Sequence, residues 1–164
     1  TNRGTFIING IERAVINQIV RSPGAYFFQE LDPGSGRMFG KSEIRPLHGS
    51  WLEFEVAKND VISARIDRRK KVLATMFLRA MGFEGDKEIL EAFKDVDKDS
   101  IHKHMEATLA KDSTTSRQEA LLEIYRKLRP GEPVVLENAE ELFKSLFQIF
   151  LAVFIEFHFH NFWF

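Results

Sequence analysis

The apolar residues of this chain change their spacing once, at Asp67-Arg68-Arg69-Lys70-Lys71. Before that point they alternate with polar ones; after it they recur every third or fourth position. Trp51-Leu52-Glu53-Phe54-Glu55-Val56 alternates apolar and acidic residues, as a half-buried strand does. Residues 61–66 alternate again, with Asn59-Asp60 as the turn between. Upstream, the apolar run before Asn9-Gly10 reads as a strand entering a hairpin, because both turn residues tolerate positive φ. Residues 14–20 read as the returning strand, with Ala14, Ile16 and Gln18 on one face. Arg21-Ser22-Pro23-Gly24 is a turn, residues 25–31 a strand, Asp32-Pro33-Gly34-Ser35-Gly36 a loop tip, and residues 38–47 a strand that Pro46 ends.

Past the switch the pattern is helical. Residues 72–81 form a predicted helix with Gly82 just beyond its end. Residues 86–93 form a second, with Ile89, Leu90 and Phe93 on one face. Asp99 or Ser100 can cap a third through Ala110, and residues 113–116 a fourth carrying Ala120, Leu121, Ile124 and Leu128. Arg129-Pro130-Gly131-Glu132-Pro133 stops that helix, and residues 138–147 resume. The expected fold class is α+β: an antiparallel hairpin sheet in the first half followed by a small helical cluster.

The chain has 164 residues, enough for one domain or one domain with a scrap of another. Apolar residues at 44% and charged residues at 29% exclude wholesale disorder. With no cysteine there is no disulfide framework, thiolate metal site or Cys nucleophile. Lys and Arg outnumber Asp and Glu in residues 1–80 (13 against 8), and the balance reverses in residues 81–164 (10 against 16). A basic half can face nucleic acid, although bipolar surfaces are common in plain solvated domains. The first residues lack a secretory pattern. They also lack an initiator Met, so the chain is expected to begin inside a longer protein.

No catalytic constellation stands out: there is no P-loop spacing, no HExxH and no GxSxG. On one helix, His102 and His104 would point roughly 200° apart, a poor arrangement for one metal. Asp95, Asp97 and Asp99 resemble part of a calcium loop, but Ser100 stands where the invariant Gly belongs. Asp97 and Asp99 are better suited to capping the next helix. The run Arg68-Arg69-Lys70-Lys71 is either a solvated turn or a phosphate contact.

Five separated stretches carry a family resemblance. Gly4-Thr5-Phe6-Ile7-Ile8-Asn9-Gly10, followed by Glu12-Arg13, Gln18 and Arg21-Ser22-Pro23-Gly24, resembles the GTFIINGxERVxVxQLxRSPG segment of the bacterial RNA polymerase β subunit. Gly49-Ser50-Trp51-Leu52-Glu53-Phe54-Glu55 resembles its RGSWLEFE strand, and Arg65-Ile66-Asp67-Arg68-Arg69-Lys70-Lys71 its RIDRRRK turn. Ala74-Thr75 through Gly82 is similar to its PATxLLRALG helix, and Glu119-Ala120-Leu121, Tyr125 through Pro133 and Glu137-Asn138-Ala139 to its EIYRxLRPGEPPTxENA block. Leu73 and Val134 replace prolines usual in the family.

The resemblance implies a domain plan: residues 1–20 end a protrusion-like domain, 21–147 form a lobe-like domain, and 148–164 do not match. That aromatic tail reads best as a translated frameshift or a sequence-end artefact, ahead of a core-forming element or a membrane span. The resemblance further implies a fragment of DNA-directed RNA polymerase that adds scaffold and channel surface, acts in the cytoplasm and polymerises nothing alone. Its partners would be the α, β′, ω and sigma subunits, DNA and the RNA–DNA hybrid, with no membrane. Mg²⁺ would be held by another subunit, leaving no catalytic or metal residue here. Arg13, Ile16, Gln18 and Arg21 would lie on the side of the nucleic acid and the rifamycin pocket. Arg65, Arg68, Arg69, Lys70 and Lys71 would form a DNA-facing basic cluster. The alternative is a stand-alone lobe-like module that binds a transcription partner.

Overall fold

The computed structural model describes residues 4–17, 19, 21–83, 85–99 and 101–147. Asn9 (φ 52°) and Gly10 (φ 76°) make the tight turn between β1 (Thr5–Ile8) and β2 (Ile11–Ala14), with Ile8 opposite Ile11. Strand β2 stops at Ala14, the partner of Thr5, with which β1 begins. Residues 15–17 are therefore not strand. Ile16 is thus not on a strand; Gln18, expected on the same face, lies outside the described residues, as does the tail from 148.

The main sheet is a five-stranded antiparallel meander in chain order: β3 (Gly24–Leu31), β4 (Met38–Arg45), β5 (Leu52–Val56), β6 (Ile62–Ile66) and β7 (Lys71–Leu73). Strand β7 takes the place of the start of the expected 72–81 helix. Asp67 (φ 48°) and Arg68 (φ 57°) both adopt the left-handed conformation, and Arg69 N donates to Ile66 O at 2.9 Å. This tight reversal returns residues 71–73 alongside 63–65, so Val72 pairs with Ala64 before the helix begins.

Helix α1 (Ala74–Met81) follows at once and ends at Gly82, whose φ of 128° suits glycine. Helix α2 (Asp86–Phe93) runs as its spacing predicts. Helix α3 (His104–Leu109) starts later than expected, after Lys103, and the Asp97 carboxylate reaches across the preceding loop to accept the N–H groups of His104 (3.3 Å) and Met105 (2.9 Å). Asp99 instead accepts from Ile101 N at 2.9 Å. Ser116 caps α4 (Arg117–Leu128) by accepting from Glu119 N at 3.3 Å, while the Glu119 carboxylate reaches back to Thr115 N at 2.8 Å. Residues 136–147 are helical up to the last described residue.

The helices cover one face of the sheet over β5–β7 and the adjoining part of β4, while Phe27 on the same face of β3 stays exposed. Leu52, Ala64, Ile66 and Val72 from the strands meet Phe77, Leu121, Ile124, Phe143 and Phe147. Phe77 is central: its ring centroid lies 6.0 Å from Phe54, 5.8 Å from Phe143 and 5.2 Å from Phe147. Burying each such ring contributes about 1.5–3 kcal/mol. Within this layer Arg79 is buried and ion-paired with Asp86 and Asp112, while Thr75 Oγ1 donates to Asp112 at 2.6 Å. A buried guanidinium persists only with such partners.

His102 lies before α3 and not on it, so the two histidine rings do not splay. They stack at 6.4 Å and 16°, with His102 Nδ1 3.0 Å from Asp60 Oδ2 and His104 Nδ1 3.1 Å from Asp60 O. Among the described residues no helix is long and apolar enough to cross a membrane.

Candidate nucleic-acid interface

Side chains alternate across a strand, so the register fixes what the sheet shows on the side away from the helices. Tyr26, Glu43, Glu53, Arg65 and Lys71 are successive cross-strand partners from β3 to β7. The next row begins Phe28, Lys41, Glu55. Over these rows runs an alternation of guanidinium and aromatic ring. Arg21 Cζ lies 5.3 Å from the Tyr26 centroid and 5.6 Å from that of Phe28. Arg45 lies 5.8 Å from Tyr26 and 4.3 Å from Trp51, and Arg68 lies 5.0 Å from Trp51. All fall within the roughly 6 Å range of cation–π attraction. The Tyr26 hydroxyl donates to Ser22 O at 2.5 Å, which fastens the Arg21–Gly24 turn to this face.

Carboxylates beneath the row hold most of its cations. Glu43 takes Arg45 at 2.6 Å, the buried Glu53 takes Arg68 Nε at 3.2 Å, and Glu55 takes Lys71 at 2.7 Å and Arg65 at 3.5 Å. The hydrogen bond from Lys71, helped by the charges of Lys71, Arg65 and Lys41, holds the Glu55 carboxyl below its ordinary range against partial desolvation.

The predicted basic cluster therefore divides. Arg65, Arg68 and Lys71 are ion-paired within the sheet, whereas Arg69 and Lys70 are exposed and have no side-chain partner among the described residues. Asp67 binds none of these cations; it bonds to Ser50 and Trp51 instead.

The second predicted group is also divided. Arg21 stands in the guanidinium–aromatic row, Arg13 lies exposed on β2 opposite Phe6, and Ile16 is exposed beyond the end of that strand. Sequence reasoning passed over Tyr26, Phe28, Arg45 and Trp51. The alternation in residues 51–56 does put Trp51, Glu53 and Glu55 on one face, but only the hairpin registers bring Tyr26 and Arg45 beside them.

An antiparallel sheet with helices on one face and an ion-paired, arginine- and ring-bearing surface on the other can stack flat groups and contact phosphates. Residues 21–150 match the family model described as RNA polymerase Rpb2, domain 2, and the chain belongs to that family. It is also 48% identical over 147 residues to the DNA-directed RNA polymerase subunit beta of Alkaliphilus oremlandii (strain OhILAs), covering 90% of this chain and 11% of the relative. The subunit of the same name from Chloroflexus aggregans (strain MD-66 / DSM 9485) is 41% identical over 166 residues, 89% of this chain and 14% of the relative. The chain thus spans a small part of the relatives it matches.

Proposed function

We propose that this chain is a segment of the β subunit of a DNA-directed RNA polymerase and supplies scaffold and nucleic-acid channel surface to templated RNA synthesis. The observation that carries this reading is the row of guanidiniums and rings from Phe28 to Arg68. Rings stack bases of any sequence, and cations beside them track the backbone. Within the basic cluster of residues 65–71, Arg69 and Lys70 are the cations left for phosphates, because Arg65, Arg68 and Lys71 already face carboxylates.

In a polymerase assembled with a β subunit carrying this segment, Trp51→Ala should weaken single-stranded DNA binding by about fivefold or more. Replacing Arg69 and Lys70 by Gln should flatten the salt slope by roughly 0.7 per lost contact, with Lys71→Gln changing it less. Parent-like affinity and slope in all three would sink the reading.

The same proposal takes α, β′, ω and sigma as partners, with DNA and the RNA–DNA hybrid, in the cytoplasm. It leaves Mg²⁺, and with it the nucleotidyl-transfer chemistry, to another subunit. Among the described residues no group of three or more His, Asp or Glu is placed to hold a metal ion. The chain alone should extend no primer when given Mg²⁺, template and nucleotides; product that survives further purification would refute this. A stand-alone module is the weaker reading, since both relatives are polymerase subunits of which this chain is 11–14%. Arg13, Ile16, Gln18 and Arg21 are proposed to lie toward the hybrid and the rifamycin pocket.

A further inference from the structure

We infer that Asp67 is a positioning residue that sets Trp51 on the nucleic-acid face. This rests on the proposed role of Trp51. Trp51 stands one residue before β5, outside the paired registers of the sheet. Its peptide groups are held from one residue instead. Asp67 Oδ1 accepts from Trp51 N at 2.8 Å, and Asp67 N donates to Trp51 O at 2.9 Å. The other carboxylate oxygen accepts from Ser50 Oγ at 2.8 Å. Both backbone groups of the tryptophan, and the hydroxyl of the residue before it, are thus tied to the β6–β7 turn.

The same turn supplies the ring's neighbour. Arg68 follows Asp67, lies 5.0 Å from the indole and is ion-paired through Nε with Glu53. Asp67 and Arg68 both hold positive φ, a conformation that costs free energy at non-glycine residues and persists because the surroundings fix it. Without the carboxylate, Trp51 loses its N–H partner and the start of β5 is released at the residue whose ring is presented. The buried helical side of the sheet keeps its contacts, since Leu52 and Ile66 still pair and still face the core.

The test uses a polymerase assembled with a β subunit that carries this segment, and a single-stranded DNA oligonucleotide as probe. Asp67→Ala leaves a β-carbon at positive φ, so Asp67→Gly is made beside it, since glycine accepts that backbone and removes only the side chain. Asp67→Asn keeps an acceptor for Trp51 N–H. Asp67→Gly should lose about as much affinity as Trp51→Ala, fivefold or more. Its salt slope should match the parent, because no phosphate contact is removed. Asp67→Asn should stay within about twofold of the parent. The double variant Asp67→Gly/Trp51→Ala should bind like Trp51→Ala alone, since a residue acting through the indole adds nothing once the indole is gone. A full additional loss in the double variant would overturn the inference and assign Asp67 to general stability. Parent-like binding by Asp67→Gly alongside a weakened Trp51→Ala would overturn it while leaving the proposed role of Trp51 standing. Parent-like binding by Trp51→Ala would remove that role and the inference together.

Discussion

Asp32, at the tip of the β3–β4 hairpin, binds Lys58 Nζ at 2.8 Å and accepts from Ser35 N at 2.9 Å and Ser35 Oγ at 2.7 Å. The Lys58 bond first, and the Ser35 hydroxyl next, lower its carboxyl from 3.8 to about 2. A folded value below the unfolded one means that the carboxylate stabilises the fold fully above about pH 4 and loses that contribution as pH falls toward 2. Asp32→Asn should therefore have a lower urea midpoint than the parent at about pH 6, with the gap closing as pH approaches about 2. A gap of equal size at both ends of that window would place its origin outside this carboxylate. The composition of the loop, Asp-Pro-Gly-Ser-Gly, announced a tip, whereas the pairing with Lys58 needed the neighbouring β5–β6 turn brought alongside.

Among the elements, the β1–β2 ribbon presents apolar side chains on both faces. Phe6, Ile8 and Ile11 lie on one and Ile7 on the other, and all four are more than half exposed. An isolated two-stranded ribbon is marginal in water, so this one is suited to lying between other layers. In a complete polymerase carrying this segment, Ile16→Phe and Gln18→Leu should weaken rifamycin inhibition while transcription continues. Dose–response curves matching the parent for both would show that this stretch does not border the pocket.

The turns of the sheet were legible where the sequence carries a local rule, as at Asn9-Gly10. The β6–β7 reversal was not, because Asp67 and Arg68 reach left-handed geometry without glycine and Val72-Leu73 run on without a break into an apolar helix. Helix α2 was legible in full from its own spacing. The start of α3 was misplaced because Asp99 or Ser100 offered an adjacent cap, whereas the helix begins at His104 and the Asp97 already suited to capping reaches it from seven residues away, across a loop. The candidate interface was legible only as scattered basic and aromatic letters: Arg21, Tyr26, Arg45 and Trp51 are distant in the chain and become one surface through strand register.

At the scale of the whole molecule, the sheet separates two kinds of chemistry, with aromatic packing around Phe77 on one side and ion pairs with stacked guanidiniums on the other. The two sides meet at Gly49-Ser50. Ser50 N donates to Leu146 O at 3.2 Å, and a β-carbon on Gly49 would come within 3.1 Å of that same oxygen. The carbonyl belongs to the last described turn of the 136–147 helix, yet the peptide it grips directly precedes Trp51. The end of that helix is thus fastened to the sheet twice, through Phe143 and Phe147 in the core and through one hydrogen bond to the residue before the indole. The strand bearing the ring is therefore anchored from both ends of its approach, by the helix at Ser50 and by the β6–β7 turn at Trp51.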